Sequence, residues 1–291
     1  VSEPLPWGRR FLLCRPDDFD VLYEINPWMH AEVKPDRDKA AAQFEGLVHA
    51  LREAGAELEF LDPVPGLPDL VFTANAGIVN GRQFVPACFR HPERQGETPY
   101  DVAWFEAHGF EVTPLPPGVH HEGAGDALPF AAPPGEGPGM VLISGYRFRS
   151  DYGAHLELSR LLGVPVRAVE LVDERLYHLD LCFCPLDDTH AMVAPLGLDR
   201  YGLAVVEAIV PEPLVLEDDE ALAFVANSVV VGRTIVMPSC PPRVGTVLER
   251  WGFEIAVAPV DEFLKAGGGC RCLTLALDVV LRPSPGRSLP R

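Results

Sequence analysis

The chain is short of positive charge and has no long apolar run. Of its 291 residues only 24 are Lys or Arg against 42 Asp or Glu, a formal net charge of −18. A surface of that sign repels a phosphate backbone, so nucleic acid is excluded as a partner, while a small cationic ligand is compatible. No apolar stretch approaches the length needed to cross a bilayer, and no basic-then-apolar leader opens the sequence. No membrane association and a cytoplasmic location are therefore expected. A nucleotide loop is missing too: the run Gly267-Gly268-Gly269 lacks the Gly-Lys-Ser/Thr ending that cradles phosphates. The seven cysteines are scattered and odd in number, which argues against a disulfide framework and for a reducing compartment. The pairs Cys182/Cys184 and Cys270/Cys272 are spaced Cys-x-Cys rather than the Cys-x2-Cys of structural zinc sites, so no metal is expected.

What is present reads as one soluble catalytic unit over 1–291, long enough to bury a substantial core, with 47% hydrophobic and 23% charged residues. Short β-like runs recur between Pro- and Gly-rich turns: 10–14, 70–72 into 77–79, 140–144, 181–184, 191–194, 229–237 and 272–281. Helical patterns alternate with them at 38–54, 100–108, 153–162 and 242–251. Strands alternating with helices predict an α/β fold. An internal echo sharpens this. Phe72-Thr-Ala-Asn75, an apolar strand and Gly81-Arg82 return as Phe224-Val-Ala-Asn227, an apolar strand and Gly232-Arg233. Each copy leads into a second strand ending in Pro (Pro86, Pro238), then a helix and a further strand. A repeated strand–strand–helix–strand unit cannot bury its apolar face alone, so a ring-like array with loops meeting at one cavity is expected. The Pro- and Gly-rich segment 115–139 has weak secondary structure but holds His121, Glu122 and Asp126, and reads as a functional loop.

Three groups of residues carry chemistry. The triple glycine runs into Cys270-Arg271-Cys272, where small residues allow close backbone approach and either thiol could be a nucleophile. A free thiol is only slightly ionised at neutral pH, so Arg271, a nearby His or a cationic substrate must help it. In Tyr177-His178-Leu179-Asp180-Leu181-Cys182, polar and apolar residues alternate, so a strand would set His178, Asp180 and Cys182 on one face. His178 suits general acid/base work there, beside a carboxylate. Glu122 and Asp126 suit a guanidinium or ammonium, and Arg147 or Arg149 could hold a substrate carboxylate in a bidentate grip. Together they describe a site for a zwitterion with a cationic end.

In this order, Phe-Thr-x-x, Glu-Gly-x-Gly-Asp, Arg-Ser, His-x-Asp and Gly-Gly-Gly-x-x-Cys resemble the guanidino-group modifying enzymes over most of the chain, from Phe72 through Leu277. That family comprises arginine deiminases, dimethylarginine dimethylaminohydrolases, amidinotransferases and arginine dihydrolases. The resemblance implies a pseudo-fivefold α/β propeller without metal or organic cofactor. It implies Cys272 as nucleophile, His178 as acid/base, and Glu122 as the carboxylate that orients the His or binds guanidinium. It implies Asp180 on the guanidinium and Arg149 on the substrate carboxylate, with Arg90 and Arg94 as further candidates for that grip. Asn26 and Asp126 complete the binding set. Ala74-Asn75 stands where deiminases carry Arg-Asp, which resembles the arginine dihydrolase branch. An Asn amide both donates and accepts, so it could hold a neutral ureido intermediate for a second hydrolysis. Arginine dihydrolase is thus the expected activity. Dimethylarginine hydrolase, deiminase, amidinotransferase and a silent guanidino-binding protein are the alternatives, and homo-oligomerisation is left open.

Overall fold

A computed structural model describes residues 2–133 and 135–283 of the chain. Its strands form five sheets of three strands each. Four of them are built alike from consecutive sequence. Gly77–Asn80 pairs antiparallel with Gln83–Pro86; the helix Thr98–Ala107 follows, and Glu111–Val112 returns parallel to the second strand. Ala127–Ala131, Met140–Tyr146, the helix Ala154–Leu162 and Val166–Glu170 repeat that plan. So do Phe183–Pro185, His190–Val193, the helix Arg200–Ile209 and Glu212–Val215. The fourth copy is Val229–Val231, Thr234–Met237, the helix Pro242–Arg250 and Glu254–Val257.

The fifth sheet is closed from both ends of the described chain. Leu275–Ala276 supplies the antiparallel strand to Arg10–Cys14, which the helix Arg37–Glu53 connects to the parallel strand Glu57–Leu61. Asp278 fastens this junction by accepting from the Gly8 and Arg9 amides, each at 2.9 Å. The strand–strand–helix–strand repeat read from the echo of 72–82 in 224–233 thus occurs five times. The parallel step needs a crossover, and in every unit a helix provides it.

Helix starts follow local chemistry. Asp36 and Asp199 each cap a helix by accepting from a backbone amide of its first turn, Lys39 and Gly202 respectively. Helix Ala154–Leu162 stops at Gly163, which takes the left-handed conformation that ends helices cheaply. Between sheets and helices lies an apolar interior in which Phe84 and Phe105 stack with centroids 3.6 Å apart. Phe105 also meets Trp104 and Phe110 edge-on.

Three expected strands are shorter or different. Residues 68–71 form a 3-10 turn, as Pro68–Val71, because Pro68 opens it and withholds a ladder donor. Residues 179–181 form another, so only Phe183–Pro185 is strand there. In the 272–281 run only Leu275–Ala276 is paired. Segment 115–139 holds more structure than its composition suggests, since Ala127–Ala131 is a sheet strand. Phe105→Ala should cost about 3–5 kcal/mol of stability, because a fully buried ring leaves a cavity among three aromatic partners. Urea unfolding at constant slope would measure it.

Candidate active site

The five sheets share one feature: a tight turn immediately before the first, antiparallel strand. Thr73–Asn75, Gly123–Gly125 and Leu179–Leu181 are 3-10 turns of this kind, and the turns at 223–226 and 270–273 complete the set. Each delivers chemistry: Asn75, Glu122, His178 with Asp180, Asn227, and Cys272. Hydrogen bonds run from turn to turn and close on themselves. Asn75 Nδ2 donates to the Glu122 carbonyl at 3.2 Å, and the Glu122 carboxylate meets His178 Nε2 at 2.9 Å. Asn227 Nδ2 donates to the Asp180 carbonyl at 3.2 Å, and its Oδ1 accepts from the Cys272 amide at 3.1 Å. The Ala74 amide then donates to the Cys272 carbonyl at 3.1 Å.

The glycines let these turns approach. A Cβ on Gly268 would stand 2.2 Å from the Phe72 ring, one on Gly269 2.8 Å from Asn227 Oδ1, and one on Gly125 2.4 Å from Asn75 Nδ2. The triple glycine therefore accommodates the protein's own side chains, where the sequence reading had a ligand in mind. Gly267 also has φ +83°, which glycine tolerates best, and its carbonyl accepts from the Tyr177 hydroxyl at 2.8 Å.

Cys272 is 2% exposed. Its Sγ accepts from Asn227 Nδ2 at 3.1 Å and lies 3.5 Å from Asp180 Oδ2. Burial, and then the Asp180 charge, push this thiol well above its usual pKa, so it rests protonated. Arg271, the neighbour expected to help the thiol, acts instead on Asp180. Cys270 is buried against the Ala258 carbonyl at 3.3 Å and has no acidic or basic partner. The strand face expected to carry His178, Asp180 and Cys182 is replaced by an extended His178 followed by a 3-10 turn. That bend turns Asp180 toward the thiol, while Cys182 bonds back to the His178 carbonyl at 3.5 Å.

Asp180 is completely buried, and its Oδ1 has no hydrogen-bond partner among the described residues. Burial raises its pKa to about 7 despite the opposing Arg271 charge. Glu122 behaves in the opposite way. Burial would raise it, but Arg149 and His178 outweigh that and hold it well below the usual carboxylate range. Arg149 Nη1 donates to Glu122 Oε2 at 2.9 Å, its Nη2 to the Ile25 carbonyl at 3.0 Å, and its guanidinium lies 4.6 Å from the Tyr177 ring centroid. Arg149 also lines a cleft of ≈ 550 Å³ together with Asn26, His30, His91, Phe148 and Tyr177.

The remaining expected residues are tied to one another. Asn26 bridges the Ala266 carbonyl at 3.0 Å and the Trp28 amide at 2.9 Å. Arg94 is buried and donates twice to Glu97, at 2.8 Å each, and once to Asn75 Oδ1 at 2.9 Å. That last bond fixes which way the Asn75 amide faces. Arg90 pairs with Asp151 and donates to the Arg149 carbonyl at 3.3 Å. Asp126, expected on the substrate, has both oxygens occupied, by Ser150 Oγ at 2.6 Å and the Leu179 amide at 3.0 Å. Its observed work is to pin the Leu179 turn. Asn227 was passed over as a functional residue, although the echo had aligned it with Asn75.

Among the described residues no three His, Cys, Asp or Glu side chains gather as metal ligands would, and no helix is long and apolar enough to cross a membrane. A buried thiol flanked by a carboxylate, with a His–Glu pair in the same circuit of turns, is the arrangement a cysteine-nucleophile enzyme needs.

No family model matches the chain. It is 35% identical over 272 residues to N(G),N(G)-dimethylarginine dimethylaminohydrolase of Mycobacterium tuberculosis, covering 94% of this chain and 87% of that protein. It is 41% identical over 276 residues to the bifunctional arginine dihydrolase/ornithine cyclodeaminase AgrE of Nostoc sp.. The chain spans 38% of the length of AgrE, and the same share of the Synechocystis relative ArgZ. The crystal structure of the ArgZ N-terminal domain bound to product superposes with a TM-score of 0.86 at 40% identity, over 94% of this chain and 98% of that one. The chain belongs to the guanidino-group modifying enzymes, in the arginine dihydrolase branch.

Asp180→Asn should stabilise the ligand-free protein above neutrality. A carboxyl raised to about 7 when folded binds its proton more tightly than the unfolded chain, whose Asp titrates near 4. Its contribution is therefore fully present below pH about 4 and is lost as pH rises to about 7, on the order of 4 kcal/mol in total. The Tm gain of Asp180→Asn should be largest at pH 8 and vanish near pH 4, which thermal scans across that range would read.

Proposed function

We propose that this chain is an arginine dihydrolase, converting L-arginine and two waters to ornithine, two ammonia and carbon dioxide. The observation that carries this is the unpartnered oxygen of a fully buried Asp180 beside the Cys272 thiol. A buried acceptor without a donor is costly, and a guanidinium supplies planar N–H donors together with the compensating charge. Binding that cation removes the repulsion Asp180 exerts on sulfur, so the substrate itself favours the thiolate. The resting enzyme keeps its thiol protonated and ionises it only when the cation is in place.

Sulfur then attacks the guanidinium carbon, and His178 gives its proton to the departing ammonia, leaving a thiouronium intermediate. His178 next takes a proton from water, which attacks that carbon and frees the thiol. Glu122, kept ionised by Arg149, holds the imidazole and balances its positive stage. Arg149, at the cleft, meets the substrate carboxylate, with Asn26 lining the same cleft. Asn75, oriented by Arg94, retains the ureido product for a second round. Solved relatives support this reading: ArgZ has been crystallised bound to substrate and to product, and as an Asn→Ser variant covalently bonded to a reaction intermediate. AgrE has been crystallised as a Cys→Ala variant with L-arginine. The five like sheets, whose first turns are bonded in a closed circuit, are in this reading the blades of a pseudo-fivefold propeller.

Incubation with L-arginine should give ornithine with two ammonia for each arginine. Citrulline with one ammonia would make the enzyme a deiminase, and turnover confined to methylated arginines would make it a dimethylarginine hydrolase. Cys272→Ser should abolish turnover with an unchanged fold. Asn227→Ala should lower kcat about a hundredfold by freeing the sulfur from its place, with a smaller effect on KM.

A further inference from the structure

A second, smaller cavity lies apart from the thiol, walled by Trp7, Ile78, Ala124, Leu142, Arg271 and Leu275 among others. It gives ≈ 20 Å³ to the centre of a water-sized group, which is room for one. Neither Cys272, His178, Asp180 nor Glu122 lines it. Two of its lining residues carry a buried nitrogen without a hydrogen-bond partner, Nε of Arg271 and Nε1 of Trp7. Their residues are 6% and 3% exposed, and Arg271 Cζ stands 5.7 Å from the Trp7 ring centroid. Both nitrogens can only donate.

Arg271 also has no carboxylate in contact with it, and Asp180 feels its charge only from a distance. The other buried arginines, Arg94 and Arg149, are each paired with a carboxylate at 2.8 and 2.9 Å. Among the described residues no carboxylate oxygen lies within 4.0 Å of Arg271, and the rest of the cavity wall is apolar or backbone. A desolvated cation and two orphan donors in one space are expensive unless something accepts from both. Water could accept, but it would bring no negative charge to the guanidinium and would turn its own two protons toward apolar walls. A monatomic anion accepts from both nitrogens, has no proton to place, and neutralises the guanidinium.

We propose that this cavity binds a single halide-sized anion, chloride in ordinary buffers, held between the Nε–H of Arg271 and the Nε1–H of Trp7. The anion would join the segment before the first strand to the loop that carries the nucleophile. It deepens no step of the proposed hydrolysis and stands or falls independently of it.

The direct test is a crystal of the full chain grown in bromide, with anomalous data collected at the bromine edge. A peak within hydrogen-bond reach of both nitrogens is expected. Water alone at that position, at saturating bromide, overturns the proposal. In solution, chloride titrated against gluconate at constant ionic strength should raise Tm saturably, as binding to the folded state alone requires. Trp7→Phe keeps a ring in the core but removes the N–H donor, and should weaken the half-saturating chloride concentration several-fold. A variant with the same chloride response as the parent would overturn the two-donor site.

Discussion

Everything in this molecule depends on a closed circuit of hydrogen bonds among five short turns. Each of those turns is only a few residues long, and bonds to its neighbours hold its shape. Asn75 to Glu122, Glu122 to His178, Asp180 to Asn227, Asn227 to Cys272, and Cys272 back to Ala74 complete the circuit. Because the turns meet through polar groups, burial of those groups is tolerated. The same contacts bring Asn75, Glu122, His178, Asp180, Asn227 and Cys272 into one network. Architecture and active site are thus one set of interactions, and a change in one turn reaches the others.

Within the circuit two carboxylates are treated in opposite ways. Glu122 is surrounded by donors and stays ionised, whereas Asp180 is left with an unmet oxygen and is pushed toward protonation. Under the proposed function such a pair divides labour before any substrate arrives: one charge is permanent and orients the imidazole, the other waits for a cation. The thiol pKa is raised first by its own burial and then by the charge on Asp180. An acidic overall charge draws cations toward such a centre without adding contacts.

Much of this could be read from residue order. The repeat of Phe-x-Ala-Asn before an apolar strand announced the unit that recurs in all five sheets, and the motifs hold Glu122 and His178, which meet each other, and Asp180 and Cys272, which do likewise. What escaped was local backbone shape. The alternation through His178–Cys182 has strand period, yet the chain bends there, and His178 and Asp180 face different partners, Glu122 and Cys272. The short strands Glu57–Leu61, Glu212–Val215 and Glu254–Val257 carry mixed, half-exposed patterns, and parallel pairing with a central strand rather than their own composition makes them strands. Asn227 went unnoticed because its value lies in bonds to backbone and sulfur across 45 residues, which spacing does not reveal. Arg94 was legible as a cation, but its pairing with Glu97 and Asn75 is a matter of three-dimensional neighbours.

The sheet that joins Leu275–Ala276 to Arg10–Cys14 has a consequence for how the protein comes into being. A chain emerging from the ribosome can complete four sheets from neighbouring sequence, but the fifth waits until residues more than 260 positions apart are both available. Cys272 lies just ahead of that strand, so under the proposed function the sulfur is the last of the named groups to be made. In that reading a nascent chain carries His178, Glu122, Asp180 and Arg149 for some time without the thiol they would serve. Catalytic competence would then arrive together with closure of the fifth sheet.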